Sequence, residues 1–269
     1  MQYRSRRSGG SLRAQPAFRI RRRCPNHLTD RIHPTTEHIL PLLAFDTAQG
    51  ALSAAILDGE RVLAHRFEVR TRGHAEELMP MIEAVLEEAS LSPADLTALA
   101  VTIGPGTFTG LRAGLAAARG FALARALPLV GVTTLEAVAA PVTAEADETI
   151  VAAFDARRAE AYLQAFDAAH LPLNEPMIVA LDKACDHMPG ARIVAVGTGA
   201  ALIAELLAGR NISCRLSAAA PQPDALFVAR LASARLKAHG ADHFRIAPAP
   251  LYLRAPDAKL PGGLDPVFT

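Results

Sequence analysis

The residues whose types and spacing could handle a ligand gather at glycine turns. The most pronounced is Gly104-Pro105-Gly106-Thr107-Phe108-Thr109-Gly110-Leu111-Arg112, which follows an apolar, partly β-branched run and precedes a helical pattern. Gly104 and Gly106 open backbone angles closed to other residues, while Pro105 fixes its own φ and steers Gly104 away from helix. A phosphate loop of the Walker type ends in Gly-Lys-Ser/Thr, but here Gly110 is followed by Leu111 and Arg112, so that chemistry is excluded. A dinucleotide fingerprint fits loosely and also requires an acidic residue about 20 positions further on, at the tip of the next strand. The next strand, Pro128-Leu-Val-Gly-Val-Thr133, ends without one. A docking surface is the third reading. Gly110, Gly114, Ala118 and Ala122 recur at i, i+4 and leave one side of the helix flat, to be filled by the chain's own neighbouring helix or by another subunit. Glycine inside a helix costs about 1 kcal/mol relative to alanine, so close packing must outweigh propensity there.

Other chemistries lack their residues. His74-Ala-Glu-Glu-Leu78 holds one histidine where a zinc protease needs two, and no Gly-x-Ser-x-Gly nucleophile elbow occurs. Cys24, Cys185 and Cys214 are odd in number and far apart, which argues for a reducing compartment and against a cysteine metal cluster. Every apolar run breaks short of the roughly 18 residues that a membrane span requires.

The net charge of +1 joins segments of opposite sign. Residues 1–40 hold nine arginines against Asp30 and Glu37, leaving nineteen basic and twenty-five acidic residues in the remainder. An acidic body argues against a broad nucleic-acid groove. The leader, with Arg21-Arg22-Arg23 and no apolar core, is not a secretory signal. It reads as a disordered tail or an over-long gene start, with a transit peptide or a nucleic-acid-touching arm as alternatives.

The elements that must position the turns begin at Pro41. Leu42–Thr47 is a buried strand ending in an acid and a hydroxyl; Gln49-Gly50 turns into Ala51–Leu57, and Asp58-Gly59 turns into the run Arg61–Val69. His74–Ala89 follows as an amphipathic helix with Leu78, Ile82, Val85, Leu86 and Ala89 on its core stripe. Met79 and Met81 fall off that stripe, where flexible thioethers could form an adaptable contact. The order β-β-β-α-β-α-β predicts an α/β fold: an antiparallel meander joined to parallel strands through helical crossovers. Beyond residue 141 the pattern predicts a smaller lobe. It has a hairpin around Asp155-Ala-Arg157-Arg158, a strand at Arg192–Val196, helices at Leu181–Met188, Ala200–Gly209 and Ala225–His239, and an extended run to Tyr252-Leu-Arg254.

This lobe plan resembles the actin, Hsp70 and sugar-kinase class. Leu43-Ala-Phe-Asp-Thr-Ala48, His74–Ile82, Gly104–Arg112, Gly131-Val-Thr-Thr-Leu-Glu136, Asp155–Glu160 and Tyr252-Leu-Arg254 resemble, in order, the TsaB (YeaZ) family. The resemblance runs from about residue 41 to the end. It implies two actin-like lobes, 41–140 and a smaller, degenerate 141–269, after the leader 1–40.

The resemblance further implies a cytoplasmic, non-catalytic subunit for making threonylcarbamoyladenosine beside the tRNA anticodon, paired with the catalytic paralogue TsaD and the ATPase TsaE. Contact with tRNA comes only through that complex, and a homodimer forms when the chain is alone. Pairing through the two N-lobe helices implies an interface of Leu78, Met79, Met81, Ile82, Gly106, Phe108, Thr109, Gly110, Arg112, Gly114 and Ala118. In TsaD the segment similar to Val132–Val138 carries two metal-binding histidines four apart; Thr134 and Val138 stand there in this chain, so no metal is expected. No cofactor is expected either. Asp46-Thr47 with Gln49-Gly50, and Gly197-Thr198-Gly199-Ala200, lie where actin-like folds hold phosphates. The rival reading is therefore an actin-like phosphotransferase using Asp46 as base or metal holder.

Overall fold

The computed structural model describes residues 41–254; the leader 1–40 with Cys24, and residues 255–269, lie outside it. Two five-stranded mixed sheets carry the same strand order. In the first, β1 (Pro41–Asp46) pairs antiparallel with β2 (Ala51–Asp58), which pairs antiparallel with β3 (Arg61–Val69). On its other side β1 runs parallel to β4 (Ala98–Gly104), and β4 runs parallel to β5 (Leu129–Thr133), giving the order β3-β2-β1-β4-β5. The second sheet repeats this with β6 (Thr149–Arg157), β7 (Glu160–Phe166), β8 (Met177–Ala180), β9 (Arg192–Val196) and β10 (Ser213–Leu216), in the order β10-β9-β6-β7-β8.

Period-two alternation decides which helix each strand residue meets. Leu43, Phe45, Leu52, Ile56, Leu99 and Val101 face helices α1 (His74–Glu88) and α2 (Phe108–Arg125). Leu42, Ala44, Leu57, Ala100, Val130 and Val132 face the opposite way, onto Ala225, Val228, Ala229 and Ala232 of α5 (Ala225–His239). The short α3 (Thr134–Ala139) serves both sheets. Its Ala137 joins the α5 layer, while Leu135 and Val138 pack on Ile150, Ala152 and Phe154 of β6. On the far face of the second sheet, Ile203 and Leu207 of α4 (Ala200–Ala208) cover Val151, Ala153 and Leu163.

The meander, α1, the hairpin and α5 match the expected spans within a residue or two. The segment Leu181–His187 is a 3-10 turn rather than an α-helix. Its run of Asp, Lys, Cys, Asp and His offers a single buried residue, Ala184, too little apolar stripe to fix longer turns. The residues after 141 also do not pack as a unit of their own: α5 lies on the first sheet, and Leu251 donates its amide to Ile103 at the end of β4 (2.7 Å).

Candidate functional site

The two glycine turns occupy equivalent places in the two sheets, each pressing a strand-to-helix connection onto the strand that starts its lobe. Between β4 and α2, a Cβ on Gly106 would overlap the Ala48 carbonyl oxygen, and one on Gly110 would overlap that of Thr47. The Thr107 amide donates to the Ala48 carbonyl (2.8 Å) and its hydroxyl caps the Gly110 amide (3.3 Å). Helix α2 therefore starts at Phe108 with Thr107 as its cap. Between β9 and α4, Gly197 has φ +96, and a Cβ there would overlap the Ala153 carbonyl oxygen, which accepts the Gly199 amide (2.9 Å).

The acid at the end of β1 is sealed beneath this contact. Asp46 is fully buried, as is Thr47, whose hydroxyl donates to the Gly110 carbonyl (2.7 Å). One carboxylate oxygen of Asp46 accepts the Thr102 hydroxyl (2.5 Å) and the Ala48 amide (3.2 Å); the other has no partner among the described residues. Burial pushes the carboxyl up to about 7, although the Thr102 and Ala48 hydrogen bonds pull it down.

Above the seal lies a cleft of about 680 Å³. Its walls are Gln49 and Gly50 of the first hairpin, residues 71–76 at the start of α1, and Thr107, Thr109 and Gly110 at the start of α2. Asp155, Arg157, Thr198 and Gln222 close it from the other side. Of the expected phosphate turns, Gln49, Gly50 and Thr198 line this cavity, whereas Asp46, Thr47, Gly197, Gly199 and Ala200 do not.

The structure divides the residues of the expected interface between two faces. Leu78, Met81, Ile82 and Ala118 are buried in this chain's own first core, and Gly110 and Gly114 pack on Thr47. Met81 sits three residues after Leu78 and four before Val85, which places it on the core stripe after all. Gly106 backs onto Ala48. The flat side of α2 is filled by the end of β1. Met79 (41% exposed), Phe108 (47%), Thr109 and Arg112 do face outward. They continue into a row that the sequence reading missed: Arg112, Ala116, Gly120 and Ala124, spaced by four and all exposed, beside Leu123 at 85% exposure. A Cβ on Gly120 would meet nothing within 4 Å. The same i, i+4 count, started two residues later, picks this row out; deciding between the rows needed the position of Thr47. At the head of the row, the Arg112 guanidinium lies 3.5 Å over the Phe108 ring and donates to the Tyr252 hydroxyl (3.1 Å).

Where a metal-binding paralogue would carry histidines, the Thr134 hydroxyl donates to the Pro105 carbonyl (2.5 Å) and Val138 is buried among apolar side chains. Glu136 is held by Arg235 of α5 (2.5 Å) and caps α3 in a box with Thr133. No group of three or more potential metal ligands occurs among the described residues.

A mixed sheet duplicated in one strand order, with glycine turns facing a shared cleft, defines the actin-like class of proteins. Within that class, residues 61–261 match the family model described as TsaD, tRNA N6-adenosine threonylcarbamoyltransferase. The chain is similar to the tRNA threonylcarbamoyladenosine biosynthesis protein TsaB of Haemophilus influenzae, at 30% identity over 83% of this chain and 98% of that one. It is 37% identical to an uncharacterized protein of Mycobacterium tuberculosis over 82% of this chain and 95% of that one. The solved structure of YeaZ from Pseudomonas aeruginosa superposes with a TM-score of 0.67 at 27% identity, covering 80% of this chain and all of that one. The chain belongs to the TsaB (YeaZ) family.

Proposed function

We propose that this chain is a non-catalytic subunit in tRNA threonylcarbamoyladenosine formation, and that it docks a TsaD-like transferase on the outward face of α1 and α2. The observation that carries the proposal is the exposed row Arg112, Ala116, Gly120 and Ala124, flanked by Phe108, Met79 and Leu123. Small side chains let another helix approach closely, and the exposed apolar and Arg side chains around them are the types that anchor interfaces. A TsaE-like ATPase and tRNA join through that complex, the same face pairs two copies when the chain is alone, and the setting is cytoplasmic. The leader 1–40 is dispensable for docking.

The sealed acid supports this reading over an actin-like phosphotransferase. A base or metal holder must reach its substrate, and Asp46 is fully buried outside the cleft lining.

The test is co-purification with a TsaD-family transferase from the same organism, together with an assay for the modified nucleoside. Gly120→Tyr and Leu123→Asp, at exposed positions that leave the fold intact, each weaken association at least tenfold and reduce product accordingly. Full association of both variants overturns the docking face. Modification of tRNA by the isolated chain overturns the non-catalytic role.

A further inference from the structure

We propose that the turn between β6 and β7 is an RNA-contacting surface, on which Arg157 and Arg158 take backbone phosphates of an unpaired tRNA segment and the Tyr252 ring stacks on one of its bases. The inference rests on the reading of this chain as a subunit in tRNA modification and names the part of it that touches the substrate. The observation behind it is a strained backbone. β6 ends at Arg157 and β7 begins at Glu160, so the loop is two residues long. A loop of that length takes positive φ at both positions and is usually filled by Asn-Gly, Asp-Gly or Gly-Gly. Here Arg157, Arg158 and Ala159 stand in succession at φ +61°, +58° and +58°, with no glycine among them. Strain of this kind gathers where function requires it. What the two arginines add at these positions is exposed charge.

The neighbours hold the turn against its own preference. The Ala156 carbonyl accepts the Arg254 guanidinium (2.8 Å), Glu160 pairs with the same group, and the Ala159 carbonyl accepts the Leu181 amide (2.9 Å). Asp155 accepts the Arg157 amide (2.7 Å), and its own amide donates to the Thr198 hydroxyl (3.3 Å). Both carboxylates of the segment are thereby engaged with the turn and its clamp. The Arg157 side chain makes no hydrogen bond or ion pair among the described residues. Arg70, Arg192, Arg215 and Arg235, by contrast, are each paired with a carboxylate.

Arg254 joins this turn to an aromatic surface. Two residues before it, at most about 7 Å along the chain, Tyr252 is 43% exposed, and its ring centre lies 5.9 Å from that of Phe108. The Arg112 guanidinium covers Phe108 (3.5 Å to the ring centre) and donates to the Tyr252 hydroxyl (3.1 Å), which fixes the Tyr252 ring. Cations beside a fixed, exposed ring suit an unpaired RNA segment, whose phosphates take guanidinium forks in pairs and whose splayed bases stack on aromatic side chains. A duplex keeps its bases stacked on one another, and an acidic peptide would satisfy the guanidiniums alone. Because acids outnumber bases beyond residue 40, the contact is a local one that adds to those of the assembled complex.

The test uses the complex of the full chain with a TsaD-family transferase and unmodified tRNA from the same organism, with tRNA affinity followed by fluorescence anisotropy across a salt series. Arg157→Gly relieves a left-handed position, so the thermal midpoint of the isolated chain holds or rises while tRNA binding weakens by about fivefold or more, which a loss of structure would not do. Arg157→Gln and Arg158→Gln combined lower the slope of log affinity against log salt by about 1.4, at roughly 0.7 for each phosphate contact to a single strand. Tyr252→Leu weakens binding by about threefold or more with the slope unchanged, as loss of stacking requires. Wild-type affinity in the arginine variants or in Tyr252→Leu overturns the proposal. So does weakened association of the arginine variants with the transferase before tRNA is added, which makes the turn a protein contact. The docking reading is scored separately, on wild-type association without tRNA: a wild-type complex that forms but binds no tRNA overturns this inference alone, and failure to form a complex overturns both.

Discussion

The two lobes solve one problem twice and finish it differently. In both, a glycine turn lets the start of a helix press on backbone carbonyls of the lobe's first strand or the residues just after it, Gly106 and Gly110 on Ala48 and Thr47, Gly197 on Ala153. In the first lobe the strand-end acid, Asp46, is buried under the contact; in the second, Asp155 stays exposed and its amide donates to the Thr198 hydroxyl (3.3 Å). Identical topology therefore leaves the chemistry of a turn undetermined. What differs is the cover over the acid: Thr102 donates to Asp46 and Thr47 to the Gly110 carbonyl of α2, whereas Asp155 is exposed.

The largest test of this parallel is at the glycines themselves. Gly106→Ala and Gly197→Ala each push a methyl into a main-chain carbonyl, where the backbone must move, and should destabilise by about 3 kcal/mol or more in denaturant titrations. Gly120→Ala, on the same helix α2 but in open space, should stabilise by up to about 1 kcal/mol. A mild effect at Gly106 or Gly197 alone would break the equivalence of the turns.

A smaller effect sharpens the contrast between the acids. The Asp46 carboxyl is raised to about 7 in the fold from 3.8, so the folded state binds the extra proton between these values. Its contribution to stability is full below pH 3.8 and is lost as pH rises to about 7. The difference amounts to roughly 4 kcal/mol at one pKa unit per 1.36 kcal/mol. Asp46→Asn should flatten this slope and stabilise the protein at pH 8, measured by urea unfolding at pH 5 and pH 8.

The smallest effect lies at the back of the first sheet. His65 of β3 bonds Asp224, the cap of α5 (2.7 Å), and this bond raises the imidazole above its usual value against the pull of burial. The stabilisation is present below about pH 6.5 and fades as pH rises through the raised value. Because His65 is partly exposed, His65→Gln should cost below about 1 kcal/mol at pH 6 and nothing measurable at pH 9.

Much of this architecture was legible in the sequence because its signals are local. Asp58-Gly59 fixed the second hairpin, the helical spacing after Ala225 fixed α5, and the glycine run marked the start of α2. The short strands Met177–Ala180 and Ser213–Leu216 were not legible: four residues each, they are defined by their neighbours' hydrogen bonds and not by their own pattern. Which side of α2 faces inward was not legible for a related reason. Two rows of small residues run along α2, offset by two positions, and periodicity treats them alike; only the side chain of Thr47, sixty-three residues from Gly110, says which row is inward. The burial of Asp46 likewise depends on Thr102 and Gly110, distant in sequence.

The return of α5 to the first sheet bears on how the molecule is made. Leu42, Ala44, Ala100 and Val130 acquire their cover from residues 225–232. On the ribosome, the half synthesised first must wait with an oily side uncovered until nearly all of the second half has emerged. Its completion is thus a late event that joins the two ends of the described chain, and a fragment cut near residue 140 would be a substrate for chaperones before it was a domain.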